Sequence, residues 1–229
     1  MTDVHHLTLA DLVTVNPAAA RVLDVFGLDY CCHGDRTIES ACAAAGLDVE
    51  EVQATIAGLE IDGDTGWTGL DAPALADHIL ATHHAFLHAE LPLLESLAEK
   101  VLGVHGQNHP ELAEVARLVA CVRADLEPHM MKEERILFPA IRALAGGTTE
   151  FPFGSVANPI RMMQLEHDQC GELLALLRAA TAGYTVPSDA CASYRSLYER
   201  LEALELDTHL HIHKENHVLF PAAIALTER

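Results

Sequence analysis

HMMKEERILFP, from His129 to Pro139, and HIHKENHVLFP, from His211 to Pro221, are two versions of one phrase. Each opens on His, places Lys and Glu three and four positions later, and closes on Leu-Phe-Pro. The two histidines are 82 positions apart (129 to 211), and so are the two glutamates (133 to 215). Upstream, His84 in ILATHHAFL and His167 in MQLEHDQCG are 83 apart. A repeat that keeps three polar positions and little else marks an internal duplication.

The spacing around these residues is helical. Leu112, Val115, Val119, Val122, Leu126, His129, Glu133 and Ile136 follow the 3-4 rhythm of a core-facing stripe, as do Leu197, Leu201, Leu204, Thr208, His211, Glu215 and Val218. Ile160, Met163, His167, Cys170, Leu174 and Leu177 form a third stripe, and Leu80, His84, Leu87, Leu91 and Leu94 a fourth. In all four, a polar residue stands where an apolar one belongs. Burying two acids and four imidazoles without partners costs several kcal/mol, so a partner is implied.

Antiparallel geometry brings these residues to one level. The midpoint of 84 and 129 is 106.5, inside the turn GVHGQNHP, and the midpoint of 167 and 211 is 189, inside GYTVPSDA. Two helical hairpins therefore place His84, His129, His167, His211, Glu133 and Glu215 together in mid-bundle. A His and a Glu four apart share a helix face, so each HxxxE offers one imidazole and one carboxylate able to bridge two ions. Mixed ligation of this kind suits iron, manganese or zinc, and bundle interiors are where paired carboxylate-bridged irons are built. A structural zinc prefers four closed ligands, often thiolates. The expected cofactor is two non-haem irons with an oxo or hydroxo bridge.

Around this bundle the chain is almost free of strand-like alternation, which makes the fold class all-α. GGTTEFPFGSVANP (146–159) separates the two hairpins, and EIDGDTGWTGLDAP (60–73) reads as an interdomain linker. The division expected is a small helical domain over 1–65 and an up-down four-helix bundle with pseudo-twofold symmetry over 74–229.

Bulk properties exclude several functions. Against 34 Asp+Glu there are 14 Lys+Arg, and the net charge of −20 repels phosphate backbones, which argues against nucleic acid. No apolar run reaches the roughly 18 residues of a membrane span, and MTDVHHLTLADL lacks the basic start of a secretory signal. Six scattered cysteines in 229 residues do not make a disulfide scaffold, so a reduced cytoplasmic setting is expected.

HMMKEERILFP, the Glu-His-Asp around His167, HIHKENHVLFP and the Asp-Tyr-Cys-Cys of the N-terminal region (29–32) together resemble the repair-of-iron-centres family of hemerythrin-like di-iron proteins, the ScdA/YtfE type. The resemblance spans nearly the whole chain. It implies a hemerythrin-like bundle with His84, His129, His167 and His211 as terminal ligands and Glu133 and Glu215 as bridges. It also implies iron–sulfur proteins damaged by nitric oxide or oxidants as partners, and repair of their clusters as the function. A dioxygen or nitric-oxide carrier or sensor, or a nitric-oxide reductase, would use the same ligands, and a homodimer is compatible with everything above. Cys31 and Cys32 in GLDYCCHGD, before a helix capped near Thr37, would serve iron transfer or docking onto a cluster, or else be incidental to a buried turn.

Other residues have plainer readings. The repeat register favours His84 over His83. His88, His213 and His217 are expected at the surface or behind the ligands, and His105 and His109 in a turn far from them. Glu166 and Asp168 flank a ligand and could orient imidazoles or simply be solvated. Pro128 either tilts His129 or is tolerated, and Cys170 either packs inertly or tunes the site.

Overall fold

A computed structural model describes residues 7–59 and 66–227. Helices α1 (Leu9–Val15), α2 (Ala19–Val25), α3 (Ile38–Ala45) and α4 (Val49–Ala57) form the N-terminal unit. Their starts are fixed locally. Thr8 and Asp11 make a reciprocal capping box, Thr37 accepts from the Ser40 amide, and Asp48 accepts from the Glu50 amide. Leu9, Val13, Leu23, Ile38 and Val52 are fully buried between them, and Ile212 from the bundle completes their core.

Four long rods follow. In α5, Ala72–Ile79 runs through a π turn at Leu80–His84 into Ala85–His105; in α6, Leu112–Lys132 runs through Glu133–Leu137 into Phe138–Ala145. The third rod, α7, is Ala157–Ala180, and α8 comprises Ala192–Lys214, a π turn at Glu215–Leu219, and Phe220–Leu226. Neighbours around the bundle are α5–α6, α6–α7, α7–α8 and α8–α5. None of the described helices is long and apolar enough to cross a membrane.

The π turns correct the expected stripes. Each adds one residue per turn, so the face advances by a position after the glutamate. Ile136, expected inward, is 46% exposed, while Leu137 is 1% exposed. Val218 is likewise only partly buried and Leu219 fully so. The repeated proline follows directly: Pro139 and Pro221 sit just beyond these turns, where the i→i−4 hydrogen bond they cannot make is already disrupted. The turn in α5 brings both His83 and His84 inward. Pro128, by contrast, is carried within the continuous helix Leu112–Lys132.

Of the stretch 60–73 expected to link the two regions, residues 60–65 lie outside the described ones and the rest packs on the bundle. Trp67 is buried in the bundle with Ile79, Phe138 and Phe220, and Asp71 caps α5 through the Ala74 amide. The tryptophan anchors this stretch to the bundle, which a free linker would not need. Two apolar cores result within the bundle, one around Trp67 and Phe138, the other around Leu91, Leu118, Leu174 and Leu201. The polar layer lies between them.

Candidate metal centre

Four rods contribute to that layer: His84 from α5, His129 and Glu133 from α6, His167 from α7, His211 and Glu215 from α8, all at most 3% exposed. Two groups of donor atoms form, each with all atoms within 4.8 Å of one another: His84, Glu133, His211 and Glu215, and His129, Glu133, His167 and Glu215. The glutamates belong to both groups, so each position draws imidazoles from both hairpins and the two carboxylates lie between the positions. His84 Nε2 is 3.4 Å and His129 Nε2 3.3 Å from Glu133 Oε2; His167 Nε2 is 3.1 Å from Glu215 Oε2 and His211 Nε2 3.3 Å from Glu215 Oε1.

Proximity here is not hydrogen bonding. Both oxygens of Glu133 and of Glu215, and Nε2 of His84 and His211, are buried without a hydrogen-bond partner among the described residues. Leaving so many polar atoms unsatisfied is costly. Cations at the two positions would satisfy them, and the donor set, imidazole nitrogen plus shared carboxylate, fits iron. Burial alone would push the Glu215 carboxyl up, yet the His211 and His167 imidazoles hold it well below the ordinary carboxylate range.

Outside the donors stands a supporting ring. The His84 Nδ1–H donates to Glu134 (3.0 Å), which also accepts from His88 (2.8 Å). The His129 Nδ1–H donates to Glu166 (2.9 Å), which also pairs with Lys132. The His129 hydrogen bond, joined by Lys132, draws the Glu166 carboxyl down to about 2. The His167 Nδ1 meets Asn216 Oδ1 at 2.9 Å. His211 Nδ1 has no partner among the described residues; instead the ring stacks on His83 at 5.4 Å. His83 accepts from Lys214 Nζ (2.9 Å) and donates to Asp207 (2.9 Å). Hydrogen-bonded outer partners of this kind fix the tautomer and aim of the imidazoles they touch, here His84, His129 and His167.

Of the flanking acids, Glu166 orients an imidazole, whereas Asp168 is exposed and lines a cavity beside the N-terminal unit. His213, expected at the surface or behind the ligands, is fully buried under the N-terminal unit, where its ring contacts Thr14 and the Tyr30 carbonyl. Burial holds it down at about 3. His217 donates to the Cys31 carbonyl (3.0 Å). His105 and His109 lie at the far end of the bundle against Cys191 and Asp189. Cys170 packs in the apolar core, its thiol pushed up to about 12 by burial.

Cys31 and Cys32 do not join the layer, but they lie close to it. The thiols are 3.8 Å apart, and Asp29 Oδ1 accepts from both backbone amides and from the Cys31 thiol. Asp29, Cys31 and Cys32 also bring three potential ligand atoms within 4.8 Å of one another. The hydrogen bond that the Cys31 thiol donates to Cys32, burial and the charge of Asp29 push that thiol well up. The turn faces a cavity of about 340 Å³ between the N-terminal unit and α7 and α8, with Arg178, Glu205 and His209 on its far walls. The sequence assigns no role to Glu134 or Asn216, and Asp29 enters it only as part of Asp-Tyr-Cys-Cys. For the first two a signal existed, since both directly follow the repeated glutamate.

A four-helix bundle with a buried layer of His and shared Glu is a hemerythrin-like metal protein. The chain belongs to the hemerythrin HHE cation binding domain family, whose sequence profile matches residues 75–223. A second profile, ScdA_N, described as a domain of unknown function (DUF542), matches residues 5–60. Among individual proteins, the chain is 35% identical over 218 residues to the iron-sulfur cluster repair protein YtfE of Enterobacter sp. (strain 638), covering 95% of this chain and 96% of that protein. The corresponding protein of Escherichia coli O157:H7 is 34% identical at the same coverage. A probable iron-sulfur cluster repair protein of Haemophilus influenzae is 32% identical over 220 residues, 94% of this chain and 96% of that one.

Proposed function

We propose that this chain repairs iron–sulfur clusters damaged by nitric oxide or oxidants. In this reading His84, His129, His167 and His211 hold two irons bridged by Glu133 and Glu215, and the Cys31–Cys32 turn serves transfer or docking. The observation that carries it is the union, on one chain, of a buried His/Glu layer and an adjacent dithiol turn, matched over nearly the full length of proteins named for cluster repair. Bound iron supplies one-electron redox chemistry and transferable metal. The protein's own contribution is enclosure and aim. Glu134, Glu166 and Asn216 fix three imidazoles, and the apolar cores on both sides exclude water. The appended thiol unit favours repair over a simple carrier.

The test loads the protein with iron without air, measures metal content, and follows recovery of a nitric-oxide-damaged aconitase-type enzyme. The parent should hold two irons and restore activity. Glu133→Ala and Glu215→Ala should each fall well below two and lose the repair. Cys31→Ser with Cys32→Ser should keep the iron spectrum yet repair more slowly, since thiolates suit iron transfer. Undiminished repair by the glutamate variants would remove the metal layer from the function.

A further inference from the structure

Two of the three hydrogen-bond acceptors that aim the centre's imidazoles are carboxylates, which can only accept. The third, Asn216, is an amide that can donate or accept, so its orientation must be set by its other neighbour. That neighbour is the Cys31 carbonyl, which receives Asn216 Nδ2–H at 3.1 Å. A carbonyl only accepts, so the NH₂ end must face it and the amide oxygen must face His167 Nδ1. His167 then carries its proton on Nδ1 and presents the Nε2 lone pair to the centre. One backbone carbonyl of the cysteine turn thus dictates the tautomer of one ligand.

The turn is fastened at the same place by other contacts. His217 Nε2–H donates to the same Cys31 carbonyl (3.0 Å), and the Cys32 thiol donates to the backbone carbonyl of His167 (3.7 Å). Gly34 permits the approach, because a Cβ there would stand 2.2 Å from the Tyr30 carbonyl and 2.8 Å from His217 Nε2. A cleft of about 140 Å³ lined by Pro128, Lys132 and Glu166 also reaches His129 and His167. Among the described residues nothing comparable links the turn to His84 or His211.

We propose that Asn216 is a positioning residue that couples docking of the Cys31–Cys32 turn to metal held at the His129/His167 position. The inference rests on the metal centre proposed above. With the turn docked, His167 is kept in its metal-binding form; with metal bound, His167 holds Asn216, and Asn216 holds the turn. Such coupling is reciprocal by thermodynamic necessity. A partner that engages the two thiols and lifts the turn frees the amide to rotate and removes the constraint on His167. The metal ion beside it is then loosened when an acceptor is at hand.

Reciprocity supplies a readout that needs no repair assay. Full-length protein, metal-free or loaded with iron(II) under anaerobic conditions and checked for metal content, is alkylated with iodoacetamide. Peptide mass mapping then gives separate rates for Cys32 and for exposed, remote Cys191. In the parent, metal should slow Cys32 labelling about tenfold, within the range for coupled sites, and leave Cys191 unchanged. In Asn216→Ala the ratio should fall to within about twofold of unity, while His217 still docks the turn. Asn216→Asp keeps an acceptor for His167 and loses the donor to Cys31, so it should hold metal yet show the same collapse. A metal-insensitive Cys32 in the parent, or a ratio that survives both substitutions, overturns the coupling and leaves the centre standing. A parent that takes up no iron overturns both.

Discussion

The two copies of the HxxKE phrase share a backbone and differ in their company. After Glu133 comes Glu134, which receives the Nδ1–H of His84; after Glu215 comes Asn216, which stands against His167 in the same relation. Before His167 comes Glu166, which accepts from His129 and pairs with Lys132; before His84 comes His83, which stacks on His211 and accepts from Lys214. Every position of the first copy's support therefore has a twofold counterpart in the second. The first set is acidic and partly solvent-facing. The second is neutral amide and imidazole, covered by Trp67 and the N-terminal unit. Duplication kept the six donors and let the supporting residues follow whatever covers each helix.

The sharpest consequence concerns the paired lysines. Lys132 is half-exposed beside Glu166, an arrangement worth under about 1 kcal/mol. Lys214 is 1% exposed, donates to His78 and His83, and lies 5.3 Å from the Trp67 ring centre. Lys214→Ala leaves a cavity and removes the donor to the buried His83 Nε2, which should cost about 2–4 kcal/mol in urea unfolding. Lys132→Ala should cost under about 1 kcal/mol. Lys214→Met, which refills the volume without restoring the hydrogen bond to His83, should recover the cavity part of the loss. Equal costs for the two alanine variants would break the contrast between covered and open copies.

A smaller effect tests the missing acid. His211 is the one centre imidazole without a hydrogen-bonded acceptor among the described residues, because His83 occupies the place that Glu166 fills for its twin. His83→Glu should rebuild the Lys132–Glu166 arrangement beside Lys214 and tighten metal at the His84/His211 position. Outer-sphere partners of this kind alter affinity 10- to 100-fold, and about tenfold is expected by chelator competition. Unchanged affinity would show that the His83 stack aims His211 as well as a carboxylate does.

The sequence made the donors legible because duplication and helical period are both periodic signals, and they agree at six positions. It hid what depends on one extra residue or on another part of the chain. A strict 3-4 rhythm puts Ile136 and Val218 inward because it cannot register a π turn, although the repeated proline is its visible trace. His213 carries no sign of its burial, because nothing local to α8 announces that the N-terminal unit covers it. Asn216 is hidden for a different reason. Its role lies in joining Cys31 to His167, across 185 positions to one and 49 to the other, and no periodicity spans such a pair.

The smallest effect expected lies where the two hairpins meet again, at their loops. His109, between α5 and α6, donates from Nε2 to Asp189 (3.1 Å) and from Nδ1 to Glu111 (3.0 Å), and Asp189 lies between α7 and α8. A ring that donates from both nitrogens to carboxylates is an imidazolium, and Asp189, then Glu111, raise its pKa above the ordinary histidine value. The same contact depresses Asp189. For His109 the folded value exceeds the unfolded one, so its contribution is complete below about pH 6.5 and fades as pH rises through the folded value. For Asp189 the sign reverses: its contribution is present above about pH 3.9 and is lost as pH falls through the depressed folded value. The tie between hairpins is thus confined to mildly acid and near-neutral pH. Because the pair lies at the surface, His109→Asn should lower the melting temperature by no more than about 3 °C at pH 6 and leave it unchanged at pH 9. Melting curves of parent and variant at both pH values decide it. A deficit of equal size at pH 9 would mean that His109 joins the copies by packing against Tyr194, not by charge.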